Sequence, residues 1–354
     1  MQAFFCPDQL LHQPQQYMRI GRIHKPADLP ARAEALQATL LAHGIPVHSP
    51  PDAGRAPLEA VHAPHYLDYL AGAYEGWQKL GRPGLEPGIE VLPNLSPYYG
   101  VAPGERRPPC PSPSLLAQTG YYVGDLASPL GPDSWRSILR SAHTAHAAAM
   151  AVAGGERLAY ALCRPSGHHA HHDRASGFCY VNNSAVAAEA LRQRFGKVAV
   201  LDVDAHHGDG TQNIFYASAE VLTVSTHADP AGYFPFYTGY AHERGAGPGE
   251  GFNLNLPLAH GSGNAEFIAA LDEAVTAIER FAPKALVLPM GFDTYRDDPI
   301  SVLRLDFDAF LHDHRRQGQR AQALADGAVI VQEGGYMVEA LGAGLAALLA
   351  GLQP

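Results

Sequence analysis

"VAVLDVDAHHGDG", residues 198–210, begins as four consecutive apolar residues and ends with three aspartates and two adjacent histidines. An unbroken apolar run this short reads as a strand covered on both faces, which is the habit of parallel sheets. Ionisable groups crowded at the end of such a strand need a specific reason, because buried charge is costly unless it is paired or bound to metal. In open α/β sheets that place, beyond the carboxyl ends of the strands, is where ligands bind.

Working outward, the same kind of run recurs at Ala159–Cys163, Val221–Ser225, Ala285–Met290 and Ala328–Val331. Helical patterns lie between them. "NNSAVAAEALRQRF" (182–195) is one, and "NAEFIAALDEAVTAIERF" (264–281) is another. In the second, Asn264 stands at an N-cap position, and Phe267, Ile268, Leu271, Val275 and Ile278 recur at helical spacing. The apolar tract at 340–352, too short to span a bilayer, reads as a buried closing helix. Alternating strands and helices predict one α/β domain over residues 1–354, a mostly parallel sheet with helices on both faces.

Composition narrows the function. The 354 residues are 46% hydrophobic and 17% charged, enough for a large core, and the net charge of −10 argues against nucleic acid as a partner. Cys6, Cys110, Cys163 and Cys179 form no C-x-x-C pair, so neither a disulfide framework nor a cysteine zinc site is expected. The opening "MQAFFCPDQLLHQPQQ" is no secretory signal. A cytoplasmic protein without membrane contact is expected. One segment breaks the strand–helix rhythm: Gly81–Pro113 holds nine prolines and reads as a functional insertion loop.

Four strands deliver His, Asp, Asp-x-His and Tyr to one edge of the sheet: His168 and His169 after the first, Asp202, Asp204 and His206 after the second, Asp293, and Tyr336. Asp204, His206 and Asp293 offer one nitrogen and two oxygens, a set that suits a catalytic divalent ion with a position left for water. His168 and His169 are the candidate proton acceptors, with Asp202 and Asp209 available to orient them. Tyr336, behind Gly334 and Gly335, suits an oxyanion donor. The combination reads as metal-assisted amide hydrolysis. "GAGPGEG" (245–251) does not join a strand to a helix and is no phosphate loop.

"RPSGHHA", "GFCYVNN", "LDVDAHHGDGTQNIFY", "MGFD…DP" and "EGGY", in that order, resemble the histone deacetylase superfamily of zinc amidohydrolases, with an arginase-like fold. The resemblance runs from about Arg19 to the C-terminus. Within the superfamily, residues 226–258 and the proline-rich insertion most resemble bacterial acetylpolyamine amidohydrolases. The resemblance implies one zinc ion, or iron(II), on Asp204, His206 and Asp293, with His168–Asp202 and His169–Asp209 pairs and Tyr336 as transition-state donor. It implies potassium at Asp202, Ser225 and the carbonyls of Asp204, His206 and Thr226, and a second monovalent site at the carbonyls of Phe215, Ser218, Val221 and Phe252. It also implies Phe178 and Phe234 as tunnel walls, Gly177 as acceptor of the amide N–H, and Arg32 beside an inner channel.

The expected activity is deacetylation of acetylated polyamines or similar small acetylamines. The runner-up is an acetyl-lysine deacetylase for proteins or peptides. An arginase-like ureohydrolase would need more carboxylates at the strand ends, and a mere binding protein would have lost a ligand or the tyrosine. The insertion is expected to narrow the mouth against a second subunit of a homodimer. Asp125, Glu86 and Glu90 are candidates to attract the distal ammonium. Arg106 and Arg107, cations in the insertion, must point away if the substrate is a polyamine. His171 and His172 read as a solvated rim turn.

Overall fold

The computed structural model describes residues 1–81, 86–94 and 105–352. Its strands are β1 (Gln2–Phe4), β2 (Tyr17–Arg19), β3 (Arg22–His24), β4 (Val47–His48), β5 (Leu158–Ala161), β6 (Val198–Asp202), β7 (Val221–Ala228), β8 (Asn253–Leu258), β9 (Ala285–Met290) and β10 (Gly327–Gln332). Eight of them form one sheet in the order β4-β1-β5-β10-β9-β6-β7-β8, every neighbouring pair parallel. β2 and β3 make a separate antiparallel hairpin.

The helices are α1 (Pro30–Ala42), α2 (Ala56–Glu59), α3 (Pro64–Gln78), α4 (Leu115–Tyr122), α5 (Ser134–Ala153), α6 (Asn183–Phe195), α7 (Asp209–Phe215), α8 (Asn264–Phe281), α9 (Phe307–Leu324) and α10 (Val338–Gly351). They cover both faces. Val198, Val200, Val287 and Val329 join the core built with α3, α5 and α6, while Ala199, Leu201, Leu286 and Ile330 join the one built with α1, α8 and α10. Alternate side chains along a strand point to opposite faces, so a strand sandwiched this way must be apolar at every position. That is why the central runs stand out in the sequence.

The expected fold class and all five expected strands are present. β7 extends beyond the expected run to Ala228, because β8 pairs alongside it. β1, β4 and β8 went unread: the first two are only three and two residues long, and β8 ("NLNLPL") interleaves asparagines with its leucines. The start of α8 needs correcting. Gly263, not Asn264, is the cap, and the Glu266 carboxylate closes the turn by accepting the Gly263 N–H at 3.0 Å. A carboxylate three residues into the helix reaches back to the orphan donor, so no side chain is needed at the cap. Of the insertion, residues 82–85 and 95–104 lie outside the described residues.

One buried ion pair ties the N-terminal segment to the sheet. Arg164, just past β5, is 1% exposed and reaches Asp28 Oδ1 at 3.0 Å. Its remaining N–H groups donate to the carbonyls of Gln9, His12 and Asp28 at 2.7–2.8 Å. Asp28 keeps a second buried cation, since Arg32 Nη1 lies 2.7 Å from the same oxygen, so removing Arg164 chiefly leaves the buried carbonyls of Gln9 and His12 without their donor. Arg164→Met is therefore expected to lose about 1–3 kcal/mol in urea unfolding. A loss below about 0.5 kcal/mol would mean that these carbonyls find other partners once Arg164 is gone.

Candidate active site

β5, β10, β9 and β6 are consecutive in the sheet, so the segments following them converge. β6 passes directly into the ligand segment: Asp204 and His206 are buried and share the backbone turn, with the His206 N–H donating to Asp204 Oδ1 at 2.9 Å. Asp293 follows β9 and accepts the Ala205 N–H at 2.9 Å. His206 Nδ1 lies 3.1 Å from Asp204 Oδ1 and 2.9 Å from Asp293 Oδ2. Ligand atoms of these three residues all lie within 4.8 Å of one another, the one such grouping among the described residues.

The donor set fits a divalent cation. Two buried carboxylates face one imidazole, and burial together with the Asp204 charge pushes the Asp293 carboxyl above its ordinary value. A metal ion held there would supply the positive charge this arrangement lacks. Room for it comes from glycines. A Cβ on Gly291 would meet Asp204 Oδ2 at 2.2 Å, and one on Gly334 would meet Asp204 Oδ2 at 2.6 Å and Asp293 Oδ2 at 2.7 Å. Gly334 also donates its N–H to Asp204 Oδ2 at 2.8 Å. His206 is backed by Tyr233, stacked at 4.5 Å. The neighbouring His207 turns away, bonded to Gln212 and Thr238.

Both histidine–aspartate pairs form as expected: His168 Nδ1 to Asp202 Oδ2 at 2.9 Å, and His169 Nδ1 to Asp209 Oδ1 at 2.7 Å. The two rings lie 4.0 Å apart yet differ in basicity. Burial opposes charge on His168, but Asp202 and Asp204 outweigh it and hold the ring well above the ordinary histidine value. Burial and then the His168 charge pull His169 down to about 4, against the bond from Asp209. One ring is kept cationic and the other neutral, a division suited to separate acid and base roles.

Tyr336 is placed by a hinge of two glycines. Gly335 has φ +108°, and a Cβ there would lie 2.7 Å from that of Phe292. Asp298 accepts the N–H groups of Tyr336 and Met337 at 2.6 and 3.0 Å. Arg32 is buried, and its guanidinium lies 4.6 Å over the Tyr336 ring. It also donates to the carbonyls of Glu333 and Gly335 and to Asp28.

The aromatic walls flank this centre. Phe234 stands edge-on to His169 at 4.8 Å, and Phe178 faces Tyr336 at 5.9 Å and Tyr17 at 5.4 Å. Phe178 takes φ +65°, a left-handed conformation uncommon for a bulky residue and typical of functional sites. Gly177 is required beside it, since a Cβ would lie 2.5 Å from His169 Cδ2.

Of the potassium candidates, Ser225 is in register with Asp202 on β7, and Thr226 Oγ1 donates to the Asp202 carbonyl at 3.4 Å. Phe215, Ser218, Val221 and Phe252 gather where α7 leads into β7 and β8 begins.

Several expectations at the rim need correction. His171 and His172 are not a solvated turn: His171 Nε2 lies 2.7 Å from Asp209 Oδ2, and His172 Nδ1 donates to the Val61 carbonyl at 2.8 Å. Asp125 is engaged within the loop: its carboxylate accepts the N–H of Gly177 at 2.7 Å and of Ala127 at 3.0 Å. Glu90 is buried and accepts the Gln15 N–H at 2.8 Å, while Glu86 is exposed. Tight turns capture nearby carboxylates because their N–H groups have no other partner.

Sequence reading missed Glu333. Fully buried, it accepts the N–H groups of Gly167 and His168 at 2.7 and 3.1 Å and the Ser184 hydroxyl at 2.8 Å. Its position between an apolar strand and two glycines is the only local sign of this role. Burial pushes its pKa up to about 7 against the pull of His168. Folding then takes up a proton between about pH 4.5, where the unfolded carboxyl ionises, and pH 7, so this group's contribution to stability falls as pH rises through that window. Glu333→Gln, which cannot ionise, should match the parent's melting temperature best near pH 5 and gain on it up to pH 7. A difference that stays flat across that range would rule out ionisation of Glu333 as the cause.

Comparison with known proteins agrees with this geometry. A family model for the histone deacetylase domain matches residues 21–352. The chain is 46% identical over 341 residues to acetylpolyamine amidohydrolase of Burkholderia pseudomallei, covering 96% of this chain and 95% of that one. It is 40% identical over 355 residues to acetylpolyamine amidohydrolase 1 of Pseudomonas aeruginosa, covering 100% and 99%. A crystal structure of the acetylpolyamine aminohydrolase from B. pseudomallei superposes with a TM-score of 0.90 at 44% identity, covering 99% of this chain and 98% of that one. The chain belongs to the histone deacetylase family and is a deacetylase, an amide-cleaving hydrolase.

Proposed function

We propose that this enzyme removes the acetyl group from acetylated polyamines or similar small acetylamines, with one zinc or iron(II) ion held by Asp204, His206 and Asp293. The convergence of those three side chains beside two histidine–aspartate pairs carries the reading. The printed names of its relatives support the substrate class. So does one cation of the insertion, Arg107, which is turned into the protein. Arg107 pairs with Asp173 at 2.9 Å, whereas Arg106 is exposed and donates to the Ile214 carbonyl at 3.1 Å.

When bound, the ion polarises the acetyl carbonyl and makes water more acidic. His169, its Nδ1 engaged by Asp209, has Nε2 left to accept the proton of the attacking water. His168, kept cationic by Asp202, supplies a proton to the departing amine. The Tyr336 hydroxyl donates to the developing oxyanion. The Gly177 carbonyl accepts the amide N–H, and Phe178 and Phe234 flank the aliphatic chain.

Potassium at Asp202, Ser225 and the carbonyls of Asp204, His206 and Thr226 would steady the ligand strand, and a second monovalent ion would sit at the carbonyls of Phe215, Ser218, Val221 and Phe252. The insertion would narrow the mouth against a second subunit, and the homodimer would act in the cytoplasm. Among the described residues no helix is long and apolar enough to cross a membrane.

Three measurements check this. Chelation should abolish activity and zinc restore it; full activity without metal would overturn the metal assignment. Tyr336→Phe keeps the ring and removes the donor, and should lower turnover by about 100- to 1000-fold. Near-parental turnover would leave the tyrosine structural only. The enzyme should prefer acetylcadaverine to an acetyl-lysine peptide in kcat/KM. Replacing residues 82–104 with a short Gly/Ser linker should narrow that preference. A preference for the peptide in the intact enzyme would favour the acetyl-lysine reading.

A further inference from the structure

Both carboxylate oxygens of Asp209 are occupied. Oδ1 lies 2.7 Å from His169 Nδ1, and Oδ2 lies 2.7 Å from His171 Nε2. An ionised carboxylate only accepts, so each of those ring nitrogens carries the hydrogen. Arg174, 3.4 Å from the same nitrogen of His171, therefore stands beside the bond and does not donate there. Burial, and then the Arg174 charge, keep His171 below the ordinary histidine value, so it serves as a neutral donor.

The segment carrying His171 is held in place. The His171 N–H donates to the Arg174 carbonyl at 2.9 Å. Between them Asp173 is gripped twice by Arg107, whose Nε reaches its carboxylate and whose terminal nitrogen reaches its carbonyl, both at 2.9 Å. Asp209 sits against this segment, for a Cβ on the adjacent Gly210 would come 2.3 Å from the Ala170 carbonyl oxygen.

We propose that His171 is a positioning residue for the deacetylation: by binding the outer oxygen of Asp209 it fixes the carboxylate plane and aims the inner oxygen at His169. This rests on the reading of His169 as the proton acceptor. Without His171, Oδ2 becomes a buried acceptor with no partner, and the carboxylate gains freedom to rotate away from His169. The effect falls on the reaction step and not on substrate binding, since His171 touches Asp209 and no tunnel wall.

The test uses zinc-loaded enzyme and acetylcadaverine, with His171→Leu, His171→Gln and His169→Ala, alone and with His171→Leu and His169→Ala combined. His171→Leu should lower kcat by about 10- to 100-fold, the usual effect of losing a partner that orients a site residue, with KM and bound zinc unchanged. His171→Gln, which keeps an N–H donor at similar reach, should recover most of the loss. In the double variant the second substitution should add nothing. An inactive His169→Ala beside a fully active His171→Leu would overturn the positioning role alone. So would a loss that Gln does not rescue, or one seen as a rise in KM or a loss of zinc. Near-parental turnover in His169→Ala would overturn the proton-acceptor reading, and the positioning role with it.

Discussion

Four buried aspartates at one edge of the sheet, Asp202, Asp204, Asp209 and Asp293, set the terms for the rest of the molecule. An unpaired charge in such a place would unfold the site or force protonation. Each carboxylate is instead met by backbone N–H groups, by a histidine, or by both. What those partners do not balance is the mutual repulsion of Asp204 and Asp293, which a divalent ion bound there would offset. The glycines at 291 and 334 follow from the same constraint, because any side chain there would enter the space of the Asp204 carboxylate.

Similar side chains in this centre acquire opposite properties from their surroundings. His168 and His169 are adjacent in sequence with their rings tilted 4.0 Å apart, yet one is held cationic and the other neutral. The difference lies in what faces each ring. His168 looks toward Asp202 and Asp204, whereas His169 has the charge of His168 at its side and an aspartate shared with His171. Neutral and cationic imidazoles at such close range suit a division into acid and base without two residue types.

The rim is built by the same economy of partners. Asp125 holds the turn at Gly177, Glu90 holds Gln15, and Arg107 holds the segment bearing His171. Side chains that would read as free charges around the mouth are therefore spent on fixing loops. The positive-φ residues Gly177 and Phe178 sit where that fixing is strongest, between Asp125 on one side and the His169 ring on the other.

The central strands and the groups at their carboxyl ends were legible from sequence because both signals are local. A strand covered on both faces is apolar throughout, and the ionisable residues that follow it stand out by contrast: Asp204 and His206 are two positions apart on one turn. The resemblance of the motifs added the histidine–aspartate pairing, which spacing by itself left open. Short edge strands such as Val47–His48 carry too few residues to show a period. The partners of Arg107, Arg164 and His171 lie 66, 136 and 38 residues away in the chain. Whether a charge faces solvent or a buried carboxylate depends on what the fold brings beside it. Tertiary structure alone thus turned Arg107 of the insertion onto Asp173, buried Glu333 under the His168 backbone, and made a histidine of the rim a partner of Asp209.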